Sequence, residues 1–200
     1  MSPDRARPAA RGTSPRPFLY SRLALLTVSL LLLFAAHARA DTIEVKSAEL
    51  LPEDEDYVLN AQFEFSFNPT LEEALQKGIS LYFVLEFELG RPRWYWLDEK
   101  LAQVSVQYRL TYTPLTRQYR LTSGLLSQQF DSLEEVERIL SRVVSRPVVA
   151  RDALTKGARY DAALRLRLDV AQLPKPFQIN AMASRDWSLQ SDWYRWSFTP

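Results

Sequence analysis

The 200-residue sequence contains no cysteine, one histidine and five glycines. The lack of cysteine excludes disulfides, thiol nucleophiles, tetrathiolate zinc sites and thiol redox chemistry. The one histidine, His37, lies in an N-terminal segment that we expect to be removed, so the remaining chain has no imidazole for a catalytic triad or a metal site. No glycine-rich phosphate loop, nucleophile elbow or metal-binding motif is present either. We therefore expect neither an enzyme nor a bound cofactor or metal.

The first 40 residues have the three parts of a secretory signal peptide. Five arginines precede a 14-residue apolar run, Leu23–Ala36, and the segment ends with the A-x-A pattern of Ala38–Ala40. A membrane-spanning helix needs about 20 apolar residues, so the run favours a cleaved signal over an anchor. We predict cleavage after Ala40, export to the periplasm and one mature domain of residues 41–200. The membrane would be contacted only through a leader that stayed uncleaved.

The charge of the mature chain differs from that of the whole sequence. The first 40 residues hold six of the 25 basic residues and one of the 24 acidic ones, so residues 41–200 have 19 basic and 23 acidic side chains and a net charge of −4. The two signs are interspersed, and no basic stripe is available to neutralise phosphates. We therefore expect no nucleic-acid partner.

Apolar and polar residues alternate along most of residues 41–200, as in strands with one buried and one solvated face. In residues 158–170 the apolar positions are Ala158, Tyr160, Ala162, Leu164, Leu166, Leu168 and Val170, separated mostly by charged residues. Residues 61–67, 79–89 and 104–113 show the same period, and residues 43–51, 118–122 and 193–198 are shorter candidates. About seven or eight such strands predict a mainly β fold, either an antiparallel β-sandwich or a curled sheet.

Two segments instead have the signals of short amphipathic helices. Thr70 with Glu73, and Ser132 with Glu135, have the spacing of a capping box before an apolar stripe. The prolines in residues 173–177 exclude a central strand and suggest a rigid connector. Residues 53–56 form the only dense acidic cluster, for which we predict a solvated hairpin connection because the calcium-loop pattern is absent.

The aromatic-rich stretches are the candidate binding sites. Residues 91–100 read RPRWYWLDEK, and the C-terminal stretch DWSLQSDWYRWSF holds three of the five tryptophans. These rings either fill the core of the sandwich, or form a surface that binds a sugar ring, a peptide or a partner domain through stacking and cation–π contacts. The candidate ligand- or partner-binding residues are Arg91, Arg93, Trp94, Trp96, Trp193 and Trp196.

Several ordered motifs of the mature chain resemble one bacterial family. The stretches GISLYFVLEFELGRPRWYWLDEKLA, YRLTYTPLTRQYRL, FDSLEEVERIL and LRLDVAQLPKPFQINAMASRDWSLQSDWYRW are similar to the family called domain of unknown function 4390. This resemblance implies an exported, signal-peptide-bearing protein, some relatives being described as proline-rich signal peptide proteins. It implies no established activity. Relatives are often encoded near a two-component sensor kinase, which suggests a link to envelope signalling.

We expect a non-enzymatic exported protein that binds another envelope protein or a small amphipathic ligand. One alternative is a carrier that holds an amphipathic molecule in an apolar cavity of a curled sheet. A second is a glycoside hydrolase-like enzyme with paired carboxylates drawn from Glu86, Glu88, Asp98 and Glu99. The sequence leaves the oligomeric state open.

Overall fold

A computed structural model describes residues 42–92 and 99–200. Nine strands and three α-helices occur in this part of the chain. The strands are β1 (Glu44–Glu53), β2 (Asp56–Glu64), β3 (Leu81–Arg91), β4 (Glu99–Thr113), β5 (Gln118–Ser123), β6 (Leu126–Phe130), β7 (Arg142–Ala150), β8 (Tyr160–Leu168) and β9 (Tyr194–Phe198). The helices are α1 (Pro69–Gln76), α2 (Leu133–Leu140) and α3 (Lys175–Ala183). None of them is long and apolar enough to cross a membrane.

The strands form two antiparallel sheets. One has the order β1-β2-β7, and the other has the order β6-β5-β4-β3-β8-β9. Neither sheet closes on itself, so each ends in edge strands. The predicted mainly β, antiparallel fold is confirmed.

Alternation along the central strands builds the core. In β3 the side chains of Leu81, Phe83, Leu85, Phe87 and Leu89 are almost fully buried, and in β8 the same holds for Tyr160, Ala162, Leu164, Leu166 and Leu168. Both sets belong to one cluster that also contains Leu59 and Phe63 of β2. Since successive side chains of a strand point to opposite faces, the remaining residues of β3 and β8 form the outer face of the larger sheet.

The acidic cluster of residues 53–56 connects β1 to β2. Glu53 pairs with Asp56, and Asp54 adopts a left-handed conformation with a φ of 48°. Aspartate tolerates this conformation better than most residues. The prediction of a hairpin at this position is confirmed.

The two predicted helices are present, and one of the two predicted caps is wrong. The hydroxyl of Ser132 accepts a hydrogen bond from the N–H of Glu135 at the start of α2, as predicted. In α1 the cap is Asn68 rather than Thr70, because Pro69 occupies the first helical position. Proline suits that position since its fixed φ matches the helix and its missing N–H would have no helical partner.

The third helix, α3, begins inside the segment that we expected to be a connector. Pro174 precedes α3 and Pro176 lies in its first turn, where proline does not break a helix. The Gln178 side chain donates hydrogen bonds to the carbonyls of Ala171 and Leu173 and so fixes the approach to α3. The prediction of a rigid connector is therefore wrong for residues 175–177, and the prediction of two helices missed this one.

Candidate functional site: an aromatic edge at strand β9

Three of the six candidate residues can be placed. Arg93, Trp94 and Trp96 lie outside the described residues. Arg91 is exposed at the end of β3, and Trp193 and Trp196 lie just before and within β9, both partly buried. The site can therefore be built only from the C-terminal part of the prediction.

Strand β9 is one of the two edge strands of the larger sheet and pairs only with β8 among the described strands. Trp196 lies opposite Ala162 and therefore faces the core, where its ring is 6.2 Å from that of Phe87. Tyr194, on the same face, has its ring 5.7 Å from that of Trp196 and is 37 % exposed. Trp196 thus packs against the core while Tyr194 extends to solvent.

Trp193 is aimed to the opposite face by a bulge. Tyr194 lies opposite Leu164. The N–H of Ser191 donates a 2.8 Å hydrogen bond to the carbonyl of Leu166. Two residues, Asp192 and Trp193, therefore oppose the single residue between those positions of β8. A bulge of this kind redirects the side chain next to it. It separates Trp193 from the buried side chains of Leu189 and Ser191, with which simple alternation would group it.

The residue opposite this bulge is Arg165, and its guanidinium carbon lies 4.5 Å from the centre of the Trp193 ring. A cation at this distance over an indole is attracted by the electron-rich ring face. The Nε atom of Arg165 also donates to Oε2 of Glu86 on β3, at 2.5 Å. The arginine is thus held between an aromatic ring and a carboxylate.

Glu86 joins Arg165 to a second arginine. Arg167 donates to both carboxylate oxygens of Glu86, at 3.2 and 3.3 Å, and to Asp169 at 3.2 Å. Burial by itself would raise the pKa of Glu86, but the hydrogen bonds from the two arginines outweigh it and hold the pKa below its ordinary value. The hydrogen bond to Glu86 raises the pKa of Arg167 in turn. The Glu86 carboxylate is therefore charged at neutral pH and bridges the two arginines.

Arg91 does not belong to this network of interacting side chains. Gly90, its neighbour, pairs with Asp161, whereas Trp193 lies against Arg165, four residues further along β8. At about 3.3 Å per residue, this is a separation of roughly 13 Å along the strand. The structure places Trp193 and Trp196 at the same edge of the sheet but on opposite faces. Arg91 is distant from Trp193, whereas its neighbour Gly90 and Trp196 lie opposite the adjacent residues Asp161 and Ala162 of β8.

A groove opens beside Trp193 and Tyr194. Its volume is about 490 Å³, and it is lined by Thr42–Val45 at the start of β1 and by the segment from Ser188 to Tyr194. The N–H of Ile43 donates to the carbonyl of Gln190 at 3.2 Å and joins the two walls. Small polar residues and the two aromatic residues Trp193 and Tyr194 thus line one concave surface.

Two of the four carboxylates considered for glycoside hydrolysis are described, and both form ion pairs with basic side chains. Glu86 binds two arginines, and the Glu88 carboxylate lies 3.4 Å from Nζ of Lys100. Asp98 and the Glu99 side chain lie outside the described part. Within residues 42–92 and 99–200, no cluster of acidic side chains has the arrangement of a metal site.

Arg165 and Arg167 were not among the predicted site residues, and Glu86 was named only as a carboxylate of the hydrolase alternative. The alternation of apolar and polar residues in the sequence does predict that these three residues lie on the outer faces of their strands. What the alternation does not give is the register between β3 and β8, which puts Glu86 directly opposite Arg165. The bulge at Asp192 and Trp193 has no glycine or proline to mark it.

One comparison with known proteins identifies the chain. A family model described as domain of unknown function (DUF4390) matches residues 40–197. Comparisons with curated proteins and with solved structures found no significant match. The matched residues include all nine strands except the last residue of β9, so they contain the whole candidate site. The chain belongs to the DUF4390 family.

Proposed function

We propose that this protein is an exported, non-enzymatic binding protein of the bacterial envelope that recognises an extended segment of another envelope protein along β9. The observation that carries this proposal is the combination of a strand edge that no described strand covers with two aromatic residues, Trp193 and Tyr194, that line a groove. An extended segment can add to an exposed sheet edge through main-chain hydrogen bonds, and pockets beside the edge select its side chains.

The rings of Trp193 and Tyr194 are suited to anchor such a segment. Tryptophan and tyrosine contribute large contact areas with few rotatable bonds, and they are enriched among residues that dominate binding energy. Trp193 is held in place by Arg165, so little side-chain entropy remains to be lost when a partner covers it. The periplasmic segment of a sensor kinase belongs to this class of partner.

The two alternatives have less support. A carrier needs an apolar hollow, whereas the inner faces of β3 and β8 are packed into one buried cluster and the described grooves have mixed polar and apolar walls. A glycoside hydrolase needs two carboxylates across a cleft, whereas Glu86 and Glu88 are engaged in ion pairs on a sheet face. Binding at the β9 edge uses the features that are present.

Site-specific photocrosslinking in living cells tests this proposal. The full-length chain is expressed with p-benzoylphenylalanine in place of Tyr194, and the matched control has it in place of Leu115, which is 94 % exposed in the turn between β4 and β5. We expect a discrete crosslinked species only from position 194, and we expect Trp193→Ala to weaken it. Identical species from both positions, or a species insensitive to Trp193→Ala, would contradict recognition along β9.

The same preparation tests export. The protein recovered from the periplasmic fraction is expected to begin at Asp41, as N-terminal sequencing would reveal. Recovery only in the cytoplasm, with Met1 at the N-terminus, would refute export while leaving the proposed binding edge to be judged by crosslinking with purified partners.

A further inference from the structure

Strand β4 has an open edge along part of its length. Its residues from Glu99 to Leu110 pair with β3, but only Arg109–Thr113 pair with β5 on the other side. In the described part of the chain, residues 99–108 therefore have no strand on the side away from β3. An edge of this length offers a row of backbone donors and acceptors to an added strand.

The edge opens into a groove where β5 leaves β4. The groove has a volume of about 710 Å³, within the range typical of ligand sites. Its walls come from the outer faces of β3 and β4, from the tip of the β5–β6 hairpin and from β7. They are formed by Tyr82, Ser105–Gln107, Arg109, Thr122–Leu126 and Arg146.

The charge of this groove is opposite to that of the mature chain. The described residues of its walls include two arginines, Arg109 and Arg146, and no aspartate or glutamate. Neither arginine makes an ion pair with a described residue. Arg109 lies 5.9 Å from the centre of the Tyr82 ring and contacts Ser80 at 3.5 Å. On a domain with a net charge of −4, two uncompensated guanidinium groups select for negative charge.

Arg146 is positioned by a bulge in β7. Arg146 pairs with Leu59 and Val143 pairs with Ala61, so two residues of β7 oppose Asn60. One of them, Ser145, has a φ of 46° and donates its N–H to Oδ1 of Asn60 at 2.8 Å. The bulge is thus fixed by a side chain of the neighbouring strand, and it directs Arg146 toward the groove.

An apolar lip completes the groove. Leu125 is fully exposed and Leu126 is 76 % exposed at the tip of the β5–β6 hairpin. Adjacent leucines with this exposure, at the mouth of a concave surface, are typical of a contact that a partner covers. The groove therefore combines a strand edge, two cations and an apolar contact.

We propose that an extended acidic segment of a partner protein, with apolar side chains between its carboxylates, binds as an added strand along residues 99–108 of β4. Its carboxylates pair with Arg109 and Arg146, and its apolar side chains cover Leu125 and Leu126. The bidentate geometry of guanidinium with carboxylate gives this pairing direction as well as energy. This site is separate from the β9 edge and does not depend on the function proposed there.

A synthetic peptide probe tests the proposal with the purified protein. The probe is a blocked, fluorescent peptide of about six residues in which glutamate and leucine alternate, a length typical of a strand. Its counterpart has lysine in place of glutamate. We expect saturable binding of the glutamate peptide, measured by fluorescence anisotropy, and binding at least about tenfold weaker for the lysine peptide. Added salt should weaken binding because ion pairs contribute to it.

Variants locate the binding. Arg146→Glu is expected to weaken binding about tenfold or more. Arg142→Glu is the matched control, since Arg142 is also exposed on β7 but does not line the groove. Leu125→Asp provides a second test at a fully exposed position in case Arg146→Glu does not fold. Bound peptide should also slow amide hydrogen exchange within residues 99–108.

Four results would overturn the proposal: no saturable binding at about 1 mM peptide, equal affinity for the lysine peptide, equal weakening by Arg142→Glu, or protection of β9 instead of β4.

Discussion

The guanidinium carbon of Arg165 lies 4.5 Å from the centre of the Trp193 ring, while the Nε atom of the same side chain lies 2.5 Å from a carboxylate oxygen of Glu86. One side chain of β8 therefore connects the edge strand β9 to the central strand β3. The bulge at Asp192 and Trp193 makes this contact, because regular pairing would leave Trp193 on the same face as Ser191. We therefore expect the Trp193 ring and the Arg165 side chain to be energetically coupled.

The coupling between Trp193 and Arg165 can be measured by a double-mutant cycle. We expect Trp193→Leu and Arg165→Met to show an interaction energy of about 0.5–1 kcal/mol in urea unfolding, as for a partly exposed cation–π pair. The control cycle combines Arg165→Met with Trp196→Leu, since Trp196 contacts Phe87 on the other face. Equal coupling in both cycles would show that Arg165 acts through general packing of β9 rather than through the Trp193 ring.

Replacement of Glu86 should make the protein less stable in a pH-dependent way. Glu86→Gln removes the charge that compensates Arg165 and Arg167, and we expect it to lower the free energy of unfolding by about 1–2 kcal/mol at neutral pH. Since the pKa of Glu86 is lowered by folding, its stabilising contribution is present above the ordinary value of 4.5 and is lost as the pH falls through the folded pKa.

Unfolding by urea at a series of pH values checks this expectation. The stabilities of the parent and Glu86→Gln should differ by a constant amount above the ordinary pKa of 4.5 and converge as the pH falls through the lowered pKa of folded Glu86. A constant difference at all pH values would indicate that the variant acts through packing, and the ion pairs would then contribute little.

Most of the fold follows from one periodicity. The alternation in residues 79–89 and 158–170 predicts which side chains of β3 and β8 are buried, because strand geometry places alternate residues on one face. Strand periodicity does not predict where a helix begins beside a proline. Pro69 moves the cap of α1 from Thr70 to Asn68, and the prolines around Lys175 begin α3 where a connector was predicted.

The candidate site was less predictable because it depends on register. The sequence indicates that Arg165 and Glu86 lie on outer faces, but only the pairing of β3 with β8 places them opposite each other. Trp193 was a predicted site residue, yet the face on which it lies depends on one extra residue in the strand. Single-residue bulges reverse the direction of every side chain that follows, so periodicity alone does not locate them.

Glu137 should respond to replacement in the opposite sense to Glu86. Burial raises the pKa of Glu137, and the charges of Glu134 and Glu72 add to this effect, while the hydrogen bond from the Phe67 N–H opposes it. Because folding raises this pKa, the carboxyl contributes stability that is complete below 4.5 and is lost as the pH rises through the folded pKa. Glu137→Gln keeps an acceptor for Phe67 and removes the charge.

We therefore expect Glu137→Gln to have a higher melting temperature than the parent at neutral pH, with the difference closing toward acid. Glu134→Gln is the control on the same helix, because hydrogen bonds from its own backbone N–H and from Ser132 lower the pKa of Glu134. That variant loses these stabilising hydrogen bonds to a charged acceptor, so it should gain less than Glu137→Gln at neutral pH. A lower melting temperature for Glu137→Gln at all pH values would contradict the expected charge effect.

Asn68 joins two segments that are distant in sequence, and its replacement should separate two contributions to stability. Its Oδ1 atom accepts a hydrogen bond from the Leu71 N–H at 2.9 Å, and its Nδ2 atom donates to the carbonyl of Asp186 at 2.7 Å. Asn68 is buried, so a carbonyl or N–H left without its partner cannot fully rehydrate. We expect Asn68→Ala to lower the free energy of unfolding by about 2–3 kcal/mol.

Asn68→Ser distinguishes the two bonds. Serine can cap α1 but is too short to reach Asp186, so about half of the loss should be recovered. Ser132→Ala, which removes a cap from α2 without a second long-range bond, is expected to cost about 1 kcal/mol. If urea unfolding gave Asn68→Ala the same loss as Ser132→Ala, the bond to Asp186 would contribute nothing; if Asn68→Ser were as unstable as Asn68→Ala, capping would be the smaller of the two terms.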